Sequence, residues 1–453
     1  MSKTSLKKAL CAILAVTMST SLLAACGKKG GGSGGVGEKD KDGNVTLSIT
    51  HWENEATSKA MRTAFDQFEK DHEKIKVEIK AAPLGDYGTK LSQMIGSGTA
   101  PDIFQLGHDM GVTFFQKGLL YDFTDKAKAE PDLASKYAAG TYDKWSFAEG
   151  DKKWSGKTFG LPGLLNVYGV FYNKDMLAKA GLDNPTNGWT WDDLYTYAET
   201  LKSKGVSEYG CYGMTQDSFW LAMQSVSEGG AELSTEFLEP QEIVMDQKLK
   251  DTILKVQEHI KSGALTPPTY EATNIQDIFR QGQIPMLFYG QWQIADFINN
   301  PNENLNWDYV ANPKGSVKQT VLYDCTGWGA SKGIKAPDEV WELMKFCSGD
   351  MYSTVLADQP VAASAYLDSA DAFYNKVKDG GHEASAEAVK YMLECESKTM
   401  LRFYPDWKDQ ANKVKDAKWN EIVVGNVDIS EVDNIATEIN KIIKDYNDKA
   451  AAK

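Results

Sequence analysis

Val45-Thr-Leu-Ser-Ile-Thr alternates apolar and polar residues, the period of a half-buried strand. A helix follows, with Met61, Ala64, Phe65 and Phe68 on one face. Lys76-Val-Glu-Ile-Lys reads as a second strand, the stretch around Asp86–Ile95 as a helix carrying Leu91, Met94 and Ile95, and Pro101-Asp-Ile-Phe-Gln-Leu as a third strand. Strand, helix, strand, helix, strand with short links predicts a βαβαβ unit, hence a parallel sheet with right-handed crossovers. Ligands of such sheets bind beyond the carboxyl ends of the strands. That rule selects two loops, His51-Trp52-Glu53 and Gly107-His108-Asp109.

A second pattern starts near Phe159. Val167-Tyr-Gly-Val-Phe-Tyr reads as a strand, and Lys174–Ala180 as a helix stopped by Gly181. Thr190, with Asp193 three residues on, predicts an N-cap opening a helix to about Lys204. Further helices are expected near Phe219–Glu228, Gln247–Ser262 and Asn274–Gln281. Ile284-Pro-Met-Leu-Phe-Tyr is a short buried strand, and Gly290-Gln-Trp292 leads into another helix. The chain then crosses through Val321-Leu-Tyr to the segment Cys325-Thr-Gly-Trp-Gly. Pro337–Ser348 is helical, and the last third closes with Ile435, Ile439, Ile442 and Ile443 on one stripe.

The front end has a different pattern. Met1–Lys8 is basic, and the uncharged stretch Ala9–Ala25 is interrupted by Thr17, Ser19, Thr20 and Ser21. It is too short and too polar for a comfortable membrane span and reads as a signal peptide, residues 1–25. Leu23-Ala24-Ala25-Cys26 resembles the bacterial lipobox, which implies lipidation (a palmitate-type diacyl anchor) on Cys26 and an extracytoplasmic place on the cell membrane. Residues 26–44, rich in glycine, are expected to be a lipid-anchored flexible linker. GSGGVG and GGSGG match nucleotide and hydrolase motifs, but no strand precedes them, so composition explains both.

At 453 residues the chain needs two or three domains, and 42% apolar with 25% charged residues is a globular composition. A net charge of −14 disfavours nucleic acid and anionic headgroups as partners, and removing a leader with Lys3, Lys7 and Lys8 and no acid deepens it. Cys211, Cys325, Cys347 and Cys395 show no CxxC spacing; free buried thiols are the expectation, one long-range disulfide the alternative. The five histidines share no helix at metal-ligand spacing, and no cofactor or metal is expected.

From Val45 onward the chain resembles the extracellular solute-binding proteins of ABC importers, specifically the sugar-binding group that includes maltose-binding protein. The matching phrases are Gly98-Thr-Ala-Pro-Asp-Ile-Phe, Phe171-Tyr-Asn-Lys-Asp with Gly181-Leu and Thr190-Trp-Asp-Asp, and Phe279-Arg-Gln-Gly-Gln-Ile-Pro-Met with Gly290-Gln-Trp. Gly327-Trp-Gly followed by Ala336-Pro-Asp-Glu-Val-Trp completes the order. The resemblance implies an α/β, two-lobe periplasmic-binding-protein-like fold of type II with discontinuous lobes and a hinge. Lobe one would be 45–160 plus 326–360, and lobe two 161–322 plus 363–453. It also implies a cleft that closes on a carbohydrate by hinge motion, and a monomer that docks on transmembrane permease subunits.

Aromatic rings cover the flat C–H faces of a sugar, while carboxylates, amides and Arg saturate its hydroxyl rim. Of twelve tryptophans, Trp52, Trp292 and Trp328 fall on predicted loops and are the stacking candidates, with Trp220 added. The polar candidates are Glu53, His108, Asp109, Asp324 and the pair Arg402 and Tyr404. Three rivals remain: a polyamine, peptide or metal chelate as cargo; a subunit presenting sugar to a sensor; and an anchored glycoside hydrolase. The last needs two carboxylates flanking a scissile bond, and no motif places such a pair, so the chain is read as a carrier without catalytic residues.

Overall fold

The computed structural model describes residues 37–80, 84–147, 154–215, 217–234, 241–270, 274–400 and 407–451. The leader, Cys26, most of the glycine-rich stretch, Arg402 and Tyr404 lie outside the described residues.

Strand β1 (Val45–Thr50) lies between β2 (Ile75–Ile79) and β3 (Ile103–Gly107) and is parallel to both. This is the βαβαβ unit read from the alternation, but β1 is not half-buried: Ser48 and Thr50 are enclosed along with Val45, Leu47 and Ile49, since the strand lies inside the sheet. Its first helix, Glu55–Asp71, buries Met61, Ala64, Phe65 and Phe68 against the sheet, and Asn54 caps it by accepting from the Thr57 N–H at 2.9 Å.

Beyond β3 the sheet turns antiparallel. Four strands continue it: β4 (Leu161–Asn173), β5 (Met286–Gly290), β6 (Trp307–Ala311) and β7 (Val321–Ala330). The order is β2-β1-β3-β7-β4-β5. β4 is the strand that both halves share. Its first part, Leu161 to Val167, pairs with β7, while Tyr168 to Asn173 is flanked by β5 and β6. A register shift between Pro162 and Leu165 marks a bulge in the first part. β8 (Ala363–Ser364) adds to β4, and β9 (Lys398–Met400) runs parallel to the start of β7. The boundary expected at 160/161 therefore sits at the head of β4, whereas the exchange of partner strands occurs inside it, at Val167-Tyr168.

The expected helices are present with small changes at their ends. Thr190 and Asp193 form a reciprocal capping box on the helix Trp191–Ser203. The helix Lys174–Lys179 stops before Gly181, whose φ of +68° only glycine adopts cheaply. The closing helix, Glu431–Ala451, buries Ile435, Ile439 and Ile443.

Two expectations change. Residues 37–44 are not loose: the Gly37 N–H donates to the Thr46 carbonyl at 2.7 Å, Asp40 accepts from the Asn44 N–H at 2.8 Å, and Lys39 pairs with Glu339 at 2.8 Å. The folded body thus begins upstream of Val45. Cys325-Thr-Gly-Trp-Gly is no loop either, because β7 runs unbroken to Ala330. Cys211, Cys325 and Cys347 are buried free thiols and Cys395 is a half-buried one; enclosure raises Cys211 and Cys325 to about 12. No described helix is long and apolar enough to cross a membrane.

Candidate binding cleft

A cleft of about 1090 Å³ opens over the middle of the shared strand, beside the point where its partner strands change. Alternation builds its floor, since residues two apart on a strand point to one face. Leu164, Asn166 and Tyr168 of β4, with Asp324 and Thr326 of β7, line it. One wall is the loop after β1 (Trp52, Glu53, Asn54) and the head of the helix after β3 (Asp109, Met110). The opposite wall holds Gln276, Asp277, Trp292, Gln293, Asp296 and Asn299.

The loop after β1 is held from beneath. His51 is fully enclosed; its Nδ1 accepts from the Glu53 N–H at 3.2 Å, so the proton resides on Nε2, 3.3 Å from the Ser58 hydroxyl. Burial lowers its pKa to about 4, keeping the ring neutral. Gln105, buried on β3, uses both ends of its amide. Its Oε1 accepts from the Trp52 N–H at 3.4 Å and its Nε2 donates to Glu53 Oε1 at 2.8 Å. Burial pushes the Glu53 carboxyl up, and the Gln105 hydrogen bond partly offsets this. The Trp52 indole stands edge-on to Tyr87 at 5.1 Å, and the Tyr87 hydroxyl donates to the Gln105 carbonyl at 2.8 Å.

Across the cleft, Trp292 lies over Gly290: a Cβ there would come within 2.0 Å of the indole. The ring is edge-on to Tyr168 at 5.2 Å and to Tyr289 at 5.6 Å. Arg280 bridges Asp277 and Asp296, reaching the latter at 3.4 Å, and Gln293 donates to Asp296 at 2.7 Å. Asp109, in the first turn of the helix His108–Gln116, accepts from Lys408 Nζ at 2.8 Å. Asp324 faces Asn166 in the β4–β7 register and accepts from the Cys325 N–H at 2.8 Å.

Five of the candidates from the sequence thus come together here: Trp52, Glu53, Asp109, Trp292 and Asp324. Three do not. Trp328 shares a face of β7 with Asp324 and Thr326 but is fully buried, its indole N–H donating to the Tyr352 hydroxyl at 3.1 Å. Its glycine neighbours serve packing, since a Cβ on Gly327 would lie 2.4 Å from Trp145 and one on Gly329 2.8 Å from Leu106. His108 is buried beside Trp145, with Nε2 on the Lys144 carbonyl; burial first, then the Lys144 charge, lowers its pKa to about 3. Trp220 sits behind the floor, 5.8 Å from Tyr168 and 4.8 Å from Phe288. Tyr168, Asn166 and Thr326 were missed as lining residues, although the alternation of the two strands carries them. The wall amides Gln276, Gln293 and Asn299 have no signature in the sequence.

Among known proteins, the chain is 26% identical to a putative binding protein of Brucella abortus over 298 residues, 62% of this chain and 66% of the relative, just under two thirds of its length. It is 28% identical to the multiple sugar-binding protein of Streptococcus mutans over 53% of this chain and 52% of that one. An ABC substrate-binding protein of Listeria monocytogenes solved with cycloalternan superposes with a TM-score of 0.73 at 21% identity, covering 88% of this chain and 99% of that one. The sugar-binding protein MalE of Xanthomonas citri also gives 0.73, at 15% identity over 90% and 100% of the two chains. At such identities the likeness is one of fold, the type II two-lobe arrangement. The profile of the bacterial extracellular solute-binding proteins matches residues 52–352, from the cleft loop after β1 through the helices beyond β7, and the chain belongs to that family.

Proposed function

We propose that this protein reversibly binds a mono- or oligosaccharide between its lobes and delivers it to the permease of an ABC importer, without chemistry on the sugar. The observation that carries the reading is the pairing of Trp52 and Trp292 on opposite walls with a rim of carboxylates and amides between them. Indoles suit the C–H faces of pyranose rings, and charged acceptors make the stronger hydrogen bonds to hydroxyls. Relatives carry names in keeping with this, among them a galactooligosaccharide-binding protein of Bacillus subtilis and a diacetylchitobiose-binding protein of Streptomyces coelicolor.

The lobes would be 45–160 plus 326–360 and 161–322 plus 363–453, with the division moved to the middle of β4. A sugar touching both walls stabilises the closed form, because only there are all contacts made. Cys26 would carry the acyl anchor on the outer side of the cell membrane, and a monomer would dock on the permease. Arg402 and Tyr404 stay candidates for the cleft.

A calorimetric or thermal-shift screen of the purified protein over a broad sugar panel tests the reading. Binding of at least one sugar without turnover is expected. Hits confined to polyamines or peptides, which the cleft acids would equally suit, would overturn it, as would hydrolysis of an oligosaccharide. Replacing Cys26 with alanine should abolish fatty-acid labelling and release the protein from the membrane fraction.

A further inference from the structure

We infer that Gln105, enclosed behind the cleft rather than in it, is the positioning residue of the Trp52 wall: its amide holds Glu53 by one carboxyl oxygen and leaves the other for the ligand, which rests on the carbohydrate reading above. Gln105 is fully buried on β3 between Phe104 and Leu106, both also fully buried. An apolar side chain would suit such a place, because an enclosed amide costs free energy unless its hydrogen bonds are made. Among the described residues, the bonds of this amide run only to the loop after β1. The Trp52 N–H needs an acceptor, so the atom it meets at 3.4 Å is Oε1. That leaves Nε2 to donate to Glu53 Oε1 at 2.8 Å. The main-chain carbonyl of Gln105 accepts from the Tyr87 hydroxyl at 2.8 Å. Trp52, Glu53 and Tyr87 line the cleft and Gln105 does not, so one enclosed residue holds three that a ligand can touch.

Glu53 Oε2 has no hydrogen-bond partner among the described residues and is the oxygen available to a sugar hydroxyl. Both protonation states of Glu53 serve. Burial pushes the carboxyl up and the Gln105 bond partly offsets this. With Oε1 accepting from Nε2, any proton on the carboxyl resides on Oε2. A hydroxyl both donates and accepts, so it pairs with Oε2 whether that oxygen is ionised or protonated. A glutamate without such a bond loses rotamer freedom when the ligand arrives. Held by Gln105, Glu53 has lost that freedom before the sugar enters, and affinity gains accordingly.

The test is a double-mutant cycle read by calorimetry on the full chain. Maltotriose, cellotriose, xylotriose, chitotriose and their monosaccharides are screened, and the tightest binder is used. Gln105→Met keeps the length of the side chain and removes both polar atoms. It should weaken binding about tenfold on its own but under about threefold beside Glu53→Ala, because its effect passes through Glu53. A residue that only supported the fold would cost the same factor in both backgrounds. Thermal melting checks folding; if Gln105→Met does not fold, Gln105→Asn, whose amide falls one methylene short, replaces it. If Glu53→Ala leaves no measurable binding, Glu53→Asp replaces it for the same reason. Equal losses in the two backgrounds would overturn the inference and leave the carbohydrate reading standing. So would a Gln105 variant binding within about threefold of the parent, or a position at which neither variant folds. Failure of every sugar with the unaltered protein would instead overturn the carbohydrate reading itself.

Discussion

Trp328→Ala separates packing from binding most sharply. The indole is fully enclosed between Gln105 and Leu161 of the neighbouring strands and donates to Tyr352, itself buried. Truncation removes about 200 Å² of apolar contact, worth about 5 kcal/mol at about 25 cal/mol per Å². Measured losses for buried Trp or Phe truncated to Ala run about 3–5 kcal/mol. Losing the donor to the Tyr352 hydroxyl adds about 1 kcal/mol. Against a total stability of about 5–15 kcal/mol, the variant should lose a third or more. Urea unfolding followed by circular dichroism reads this as a lower midpoint at similar slope. Trp328→Phe, which keeps most of the volume, should recover more than half of the loss. Sugar affinity of the folded fraction should stay within threefold of wild type. An unchanged urea midpoint together with a tenfold loss of affinity would refute the reasoning and return Trp328 to the cleft.

Other outcomes follow from the same geometry. Trp292→Ala, at a half-buried indole on the cleft wall, should weaken sugar binding about tenfold, or about 1.4 kcal/mol, with little change in unfolding midpoint; calorimetry beside a urea titration checks both. Gly327→Ala places a Cβ 2.3 Å from the Leu161 carbonyl oxygen and 2.4 Å from Trp145. It should cost about 1–3 kcal/mol as read by thermal melting, and a neutral effect would mean the strand yields easily. His51 and His108 are held neutral in the fold, near 4 and 3, below their ordinary 6.5. The unfolded chain therefore takes up protons first, so their contribution is complete above about pH 6.5 and drains away as pH falls toward 4 and then 3. Urea midpoints at pH 7, 5.5 and 4.5 should fall in that order, less steeply in His51→Gln.

Much of the fold is written in periodicity. The alternation at Val45–Thr50, the buried stripe of Met61 to Phe68 and the Thr190 capping box each depend on neighbours within one or two turns, so local spacing suffices. The strand-end loops were legible for a similar reason, because topology places the ends of parallel strands at a rim, and that put Trp52, Glu53 and Asp109 beside the cleft. What spacing does not carry is which face of a long strand is covered. Trp328 and Thr326 share a face, yet Tyr352, distant in sequence, covers only the first. His108 and Asp109 are adjacent, but a helix starts there and turns one inward beneath Trp145 while the other meets Lys408. The wall amides depend on where two helices land, and their spacing along the chain is indistinguishable from that of any exposed helix face.

Because β4 is one uninterrupted strand whose neighbours change at Val167-Tyr168, it also ties reading frame to architecture. Most surface loops of this chain can absorb an added or lost residue locally. A single-residue insertion between Asn166 and Tyr168 would invert the outward and inward sides of everything on one flank relative to the other. The floor of the cleft and the core of one half would then be mutually exclusive. Length variation among natural or engineered descendants of this protein should thus be absent from 164–172 while it accumulates at the loop tips. A scan of one-residue insertions and deletions scored for soluble expression would map the shared strand as a continuous intolerant block.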